Sequence, residues 1–179
     1  MAQIKRKQRF FDVEIPLINK TTDLRAFELK DLENKFIKYD LTRILKGKSA
    51  IIQLKVKIEK DSAIASPRKI KLMPSYLKRM VRKGTNYVED SFTADCVGFQ
   101  LKIKPLLITR RKVSRAVRNA LRKKAREELT EYVKDKDIDT IFQNLLNNQI
   151  QKPLSLKLKK IYPLSLCEIR VLEAKEKKQ

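Results

Sequence analysis

Along residues 49–60, SAIIQLKVKIEK, apolar and polar side chains alternate with a period of two. Ile52, Leu54, Val56 and Ile58 fall on one side; Gln53, Lys55, Lys57 and Glu59 fall on the other. Successive side chains of an extended chain point to opposite faces, so this pattern predicts a half-buried β-strand. FFDVEIPLI (residues 10–18) repeats it with Phe11, Val13, Ile15 and Leu17 inward, and Pro16 marks its end or an edge position. LRAFELKDL (24–32) is read the same way, with Phe27 and Leu29 on the apolar side. YVEDSFTADC and FQLKIKPLLI flank Val97-Gly98, which predicts a hairpin with Phe99, Leu101 and Ile103 inward.

Elsewhere the period changes to that of a helix. In KLMPSYLKRMVRKG, Leu72, Met73, Tyr76, Leu77, Met80 and Val81 recur at helical spacing; Pro74 suits the first turn and Gly84 is placed to end the helix. In TRRKVSRAVRNALRKKAREEL (109–129), Val113, Ala116, Val117, Ala120, Leu121 and Ala125 form an apolar stripe continuing to Leu129 and Val133. DIDTIFQNLLNNQI predicts a further amphipathic helix with Ile138, Ile141, Phe142, Leu145 and Leu146 inward and an Asp at its start. After Pro153 two readings stand: Leu154, Leu156 and Leu158 alternate like a strand, while Leu154, Leu158 and Ile161 fit a helix. LCEIRVLEA, after Tyr162-Pro163, predicts a short final strand. Strands, helix, strands, helices and a last strand make an α+β order rather than repeating βαβ units.

Charge changes the picture most. The 179 residues carry 43 Lys+Arg against 21 Asp+Glu, a formal net charge of +22. That excess points to an anionic partner, nucleic acid or an anionic surface. It is also clustered. Lys5, Arg6, Lys7 and Arg9 crowd the N-terminus; Arg68, Lys69, Lys71, Lys78, Arg79, Arg82 and Lys83 form a second group. Arg110, Arg111, Lys112, Arg115, Arg118, Arg122 and Lys123 form a third; Lys157, Lys159 and Lys160, with Lys175, Lys177 and Lys178, form a fourth. An ordinary surface helix mixes signs to gain pairs one turn apart. The 109–129 segment instead reaches its first acid only at Glu127. Its apolar stripe therefore faces a core, while Arg111, Arg115, Arg118 and Arg122, three or four apart, are assigned to phosphate, which the planar guanidinium fork suits.

Much other chemistry is excluded by composition. The chain has no histidine and no tryptophan, and its only glycines are Gly47, Gly84 and Gly98. The commonest general base and zinc nitrogen ligand are absent, and no glycine-rich phosphate loop can be built. Cys96 and Cys167, far apart in sequence, read as buried thiols of a reducing compartment rather than a disulfide or metal site. Glu89 and Asp90 would point to opposite faces of a strand. Glu127, Glu128 and Glu131 read as surface partners of Lys123, Lys124 and Lys134, and Asp135, Asp137 and Asp139 as helix-start acids lacking a calcium loop's glycine and terminal Glu. No enzymatic activity, cofactor, metal or small-molecule substrate is expected. No apolar run is long enough to span a bilayer and the N-terminus is not signal-like, so a cytoplasmic location is expected.

Three segments carry a family resemblance: KLMPSYLKRMVRKG…VEDSFTADCVGFQLKI, the basic helix SRAVRNALRKKAREEL, and above all KKIYPLSLCEIRVLEA. With FELKDLENK, they resemble, in order over residues 10–174, the S-one-e (S-three-A-e) family of archaeal and eukaryotic small-subunit ribosomal proteins. The resemblance implies a β-barrel-like, mainly antiparallel sheet domain with a helical C-terminal part. It further implies a structural protein bound to small-subunit ribosomal RNA on the platform, beside neighbouring platform proteins, in the cytoplasm. The short tail looks archaeal, since eukaryotic members carry a longer C-terminal extension. Two features depart from the family pattern. KRKQRFF replaces a tryptophan-bearing N-terminal arm, and Pro153 interrupts a helix that relatives run into the Tyr-Pro motif, predicting a split.

The resulting organisation is a basic arm over 1–9, a β-rich RNA-binding domain with one inserted helix over 10–108, a basic helical part over 109–174 ending in a strand, and a charged tail over 175–179. Two alternatives stay open. A non-ribosomal RNA-binding protein or RNA chaperone would share the charge but not the ordered motifs. A membrane-surface or protein-interaction module would call for bulky apolar residues opposite the charges, where the basic helix has Val and Ala.

Overall fold

The computed structural model describes residues 7–59 and 62–176. Among the described residues, nine strands form one mostly antiparallel sheet, and four α-helices accompany it. The strands are β1 (Arg9–Ile15), β2 (Lys20–Ala26), β3 (Phe36–Asp40), β4 (Ala50–Glu59), β5 (Ser62–Leu72), β6 (Tyr87–Glu89), β7 (Phe92–Cys96), β8 (Phe99–Thr109) and β9 (Leu164–Glu176). The helices are α1 (Pro74–Met80), α2 (Arg115–Val133), α3 (Ile138–Leu146) and α4 (Gln151–Lys159).

The long strands follow their alternation. Ile52, Leu54 and Val56 of β4 and Leu101 and Ile103 of β8 are fully buried, joined in one core by Leu121, Leu129, Phe142 and Leu158 from the helices. The 97–98 turn forms as expected, with Gly98 at φ 74. β9 is the finding of consequence. It is not a short appendage but a 13-residue strand between β5 and β8, pairing Lys69–Lys71 on one side and Phe99–Thr109 on the other. The last strand in sequence therefore closes the middle of the sheet.

Several expectations are corrected. The strand read at 24–32 ends at Ala26; Glu28 and Asp31 then cap each other's backbone and start a 3-10 turn, Leu29–Leu32. Leu32 fills the core there, and Phe27 is 45% exposed. The helix read from Leu72 begins only at Pro74, because the residue before a proline is driven to extended backbone; Met73 has ψ 140 and Leu72 ends β5. That helix ends at Met80, before Gly84, which serves the following turn at φ 83. The basic helix begins at Arg115 behind the N-cap Ser114, so Thr109–Val113 lies outside it. Ala116 and Ala120 are exposed; the buried stripe is the narrower row Leu121, Ala125, Leu129 and Val133, spaced by four.

After Pro153 the helical reading holds: Leu154 and Leu158 are buried in α4, while Leu156 is 69% exposed. Pro153 sits in the first turn, where its missing N–H costs no intrahelical bond. The split lies upstream, between α3 and α4, where Asn148 takes φ 59. Cys96 and Cys167 are buried thiols not joined in a disulfide. Burial, with Glu168 adding to it, pushes the Cys167 thiol up to about 12.

Candidate nucleic-acid interface

One end of the molecule gathers basic residues that lie far apart in sequence. Thr109, the last residue of β8, is fully buried; its hydroxyl donates to the Arg111 carbonyl (2.7 Å) and accepts from the Asn86 N–H (3.1 Å). The Asn86 side chain accepts from the Val113 N–H at 2.8 Å, and the Arg110 N–H donates to the Pro163 carbonyl at 3.4 Å. These bonds tie three loops together: the α1–β6 turn with Arg82 and Lys83, the β8–α2 loop with Arg110, Arg111 and Lys112, and the α4–β9 turn preceded by Lys159 and Lys160. All seven side chains are exposed.

The start of α2 completes this end. Arg115, Arg118, Asn119 and Arg122 line a cleft of about 230 Å³ whose other wall is Tyr87 and Val88 of β6. Arg115 and Arg122 are exposed; Arg118 is half-buried, and its Nε is enclosed without a hydrogen-bond partner. None of the three pairs with a carboxylate among the described residues. Three guanidinium groups with free donors around a polar cleft suit an anion with several oxygens, a phosphate above all. Tyr87, 55% exposed, offers a ring beside them.

The acids lie at the other end of the same helix. Lys124 pairs with Glu127 (3.7 Å) and Glu128 (3.2 Å), and Glu128 reaches across to Lys157 of α4. The Lys157 hydrogen bond and that from Lys124 hold the Glu128 carboxyl below the usual carboxylate range. Lys123, Glu131 and Lys134, expected in this set, form no ion pair among the described residues. So α2 is polarised along its length, its first half free for an outside anion and its second half tied into the fold.

The remaining candidates separate from this cluster. Lys78 and Arg79 lie on α1, where Arg79 sits over the Tyr76 ring at 6.0 Å. Arg68, Lys69 and Lys71 belong to β5: Arg68 is buried, stacked on Phe99 at 4.8 Å and paired with Glu176 at 2.9 Å, and Lys69 pairs with Glu173 at 3.3 Å. Arg68 is thus largely satisfied inside the protein. Lys7 and Arg9 are exposed beside β2; Lys5, Arg6, Lys177 and Lys178 lie outside the described residues. Sequence reading overlooked the lysines between core positions of the strands, among them Lys38, Lys102 and Lys104. Their signal was the alternation itself, whose polar positions are mostly lysine.

No group of three His, Cys, Asp or Glu able to hold a metal occurs among the described residues, and none of their helices is long and apolar enough to cross a membrane. What the fold and its unpaired cations define is a basic α+β protein with a cationic end. The chain matches the Ribosomal S3Ae family over residues 12–177 and belongs to it. Among its relatives is the small ribosomal subunit protein eS1 of Methanothermobacter thermautotrophicus, 29% identical over 73% of this chain and 72% of that protein. Proteins of the same name from Nanoarchaeum equitans (32% identical; 68% and 63% covered) and Pyrobaculum arsenaticum (27%; 91% and 74%) are also similar.

Proposed function

We propose that the chain is an archaeal-type structural protein of the small ribosomal subunit, holding ribosomal RNA on the platform through its basic end. Family membership supports the ribosomal role and a structural rather than enzymatic one. The observation that carries the RNA contact is the convergence of Arg115, Arg118 and Arg122 with the loops of Arg82, Lys83, Arg110, Arg111 and Lys112, all without carboxylate partners. Keeping so many like charges together costs self-repulsion that a polyanion offsets. The Tyr87 ring and the shallow cleft suit backbone and shape recognition more than base reading, as for structured RNA. Lys7, Arg9, Lys78, Lys123, Lys159 and Lys160 then extend the contact, and neighbouring platform proteins are the further partners.

The test is incorporation. Tagged chain should co-sediment with small subunits from a native lysate, and Arg115→Glu/Arg122→Glu should shift it to the free fractions while melting like the parent. A folded double variant that still travels with small subunits like the parent would overturn the assignment of this end to RNA.

A further inference from the structure

The side chains on the core-averted face of the sheet form rows that cross strand after strand. Directly opposed residues of antiparallel strands project to the same side, so the register can be followed across the sheet. One row runs Lys38, Gln53, Lys69, Glu173, Lys102 and Thr93, over β3, β4, β5, β9, β8 and β7. The next runs Asp40, Ile51, Lys71, Val171 and Lys104. On the other flank, Phe36 lies opposite Lys55, and Lys175 opposite Gln100, which in turn faces Asp95 of β7. The face ends beyond Lys104, where Leu106 and Glu168 are buried.

Three properties set this face apart from an ordinary solvated one. Lys38, Lys71, Lys102, Lys104 and Lys175 have no carboxylate partner among the described residues. Its inner acids are occupied, Glu173 by Lys69 and Glu176, at the end of β9, by Lys55 (3.3 Å) and Arg68 (2.9 Å), while Asp40 and Asp95 stand at its margins. At the β3 edge Phe36 stands 58% exposed, beside a shallow groove of about 330 Å³ that it lines with Gln53, Lys55, Lys69, Lys175 and the paired Glu173 and Glu176.

We propose that this face binds an unpaired, single-stranded segment of RNA, at a site separate from the arginine end. The inference rests on the reading of the chain as an RNA-binding protein. A duplex would press its phosphates onto the face everywhere, including at Asp40 and Asp95 on its margins, where carboxylates repel them. A single strand lays phosphates along the lysines and turns its bases inward. The amides of Gln53 and Gln100 and the carboxylate of Glu173 can then meet base edges, and Phe36 offers a ring for stacking. Successive rows lie two residues apart along each strand, ~6.6 Å, close enough for a strand crossing them to meet a cation at successive nucleotides.

The experiment is fluorescence anisotropy of the full chain with an unstructured oligoribonucleotide and, separately, with an RNA hairpin. The variants are Lys38→Gln/Lys71→Gln/Lys102→Gln, Phe36→Ala and Arg115→Gln/Arg122→Gln. The lysine triple should weaken single-strand binding at least about tenfold and lower its log–log salt slope by about two, with hairpin affinity changed less than about twofold. Phe36→Ala should weaken the single strand by about fivefold or more, the size of a lost stacking contact, and leave the hairpin alone. The arginine pair should do the reverse. Face variants that bind the single strand like the parent, or lose both RNAs equally, would overturn the proposal, as would polyglutamate competing as well as the oligoribonucleotide. A parent chain that binds neither RNA would instead remove the RNA-binding reading beneath it.

Discussion

Arg118 illustrates how one side chain serves packing and charge at once. Its stem is half-buried against the start of α2 and β6, and its Nε is enclosed with no acceptor, while its remaining donors face the Tyr87 cleft. An enclosed donor without a partner costs about 1–3 kcal/mol. Arg118→Met keeps the stem and removes that donor, so its melting temperature should equal or exceed the parent's while RNA affinity falls. A clear drop in stability would mean that the guanidinium is tied into the fold after all. Leu121, one turn below and fully buried, should behave oppositely: Leu121→Ala should cost roughly 2–5 kcal/mol in denaturant unfolding, with RNA binding intact in the folded fraction. Cys167 offers a pH-dependent readout at the same scale. Its thiol ionises near 9.0 in the unfolded chain and at about 12 when buried, so the unfolded state loses its proton first. Stability from this residue is complete below pH 9 and is lost as pH rises from there towards 12. Cys167→Ser or Cys167→Ala should flatten that alkaline decline in chemical melts, and the native thiol should resist alkylation at pH 8.

At the level of elements, legibility in the sequence tracks side-chain size. β4 and β8 were readable because Ile, Leu and Val mark every second position, and α3 because Ile141, Phe142 and Leu145 mark a helical face. β5 was not, although it is central. Its inward residues in the first half are Ala63, Ala65 and Pro67, too small to signal burial, and a bulge beside Pro67 and Arg68 shifts the alternation before Ile70 and Leu72. β3 escaped for a related reason: in FIKYD only Ile37 is fully inward, and Phe36 faces solvent. Of the candidate site, the arginines of α2 were legible from charge alone. Their meeting with Tyr87 and the 82–86 turn was not, because it depends on tertiary bonds from Asn86 and Thr109. The joint between the C-terminal elements is equally tertiary. Glu168 of β9 takes Lys48 of the β3–β4 loop at 2.5 Å and the Gln151 amide of α4 at 3.4 Å. Glu168→Gln keeps the shape but leaves the Lys48 ammonium without its counter-charge, and should cost roughly 2 kcal/mol. Equilibrium unfolding would measure it, and a neutral result would assign the joint to packing alone.

For the whole molecule, the decisive quantity is a formal charge of +22 distributed so that most pairing lies away from the arginine end. Charge of one sign destabilises the compact free chain through self-repulsion, which salt screens. In the proposed function the same charge drives association with RNA by releasing counterions, which salt opposes. One salt titration should therefore move two observables in opposite directions. Between low and moderate ionic strength the melting temperature of the free chain should rise. Over the same range, affinity for a ribosomal RNA fragment should fall steeply, with a log–log slope on the order of the number of phosphates contacted. Bound RNA should also stabilise the chain by mass action, most at low salt where affinity is greatest. Arg115→Gln/Arg122→Gln should lessen both trends together, since it removes charge from the crowded end: the salt-induced rise in melting temperature shrinks, and the binding slope drops by about two. Scanning calorimetry and anisotropy on the same samples would decide the matter. A free chain indifferent to salt, together with a salt-insensitive RNA complex, would show that this charge is balanced within the fold and that its concentration at one end has no bearing on RNA.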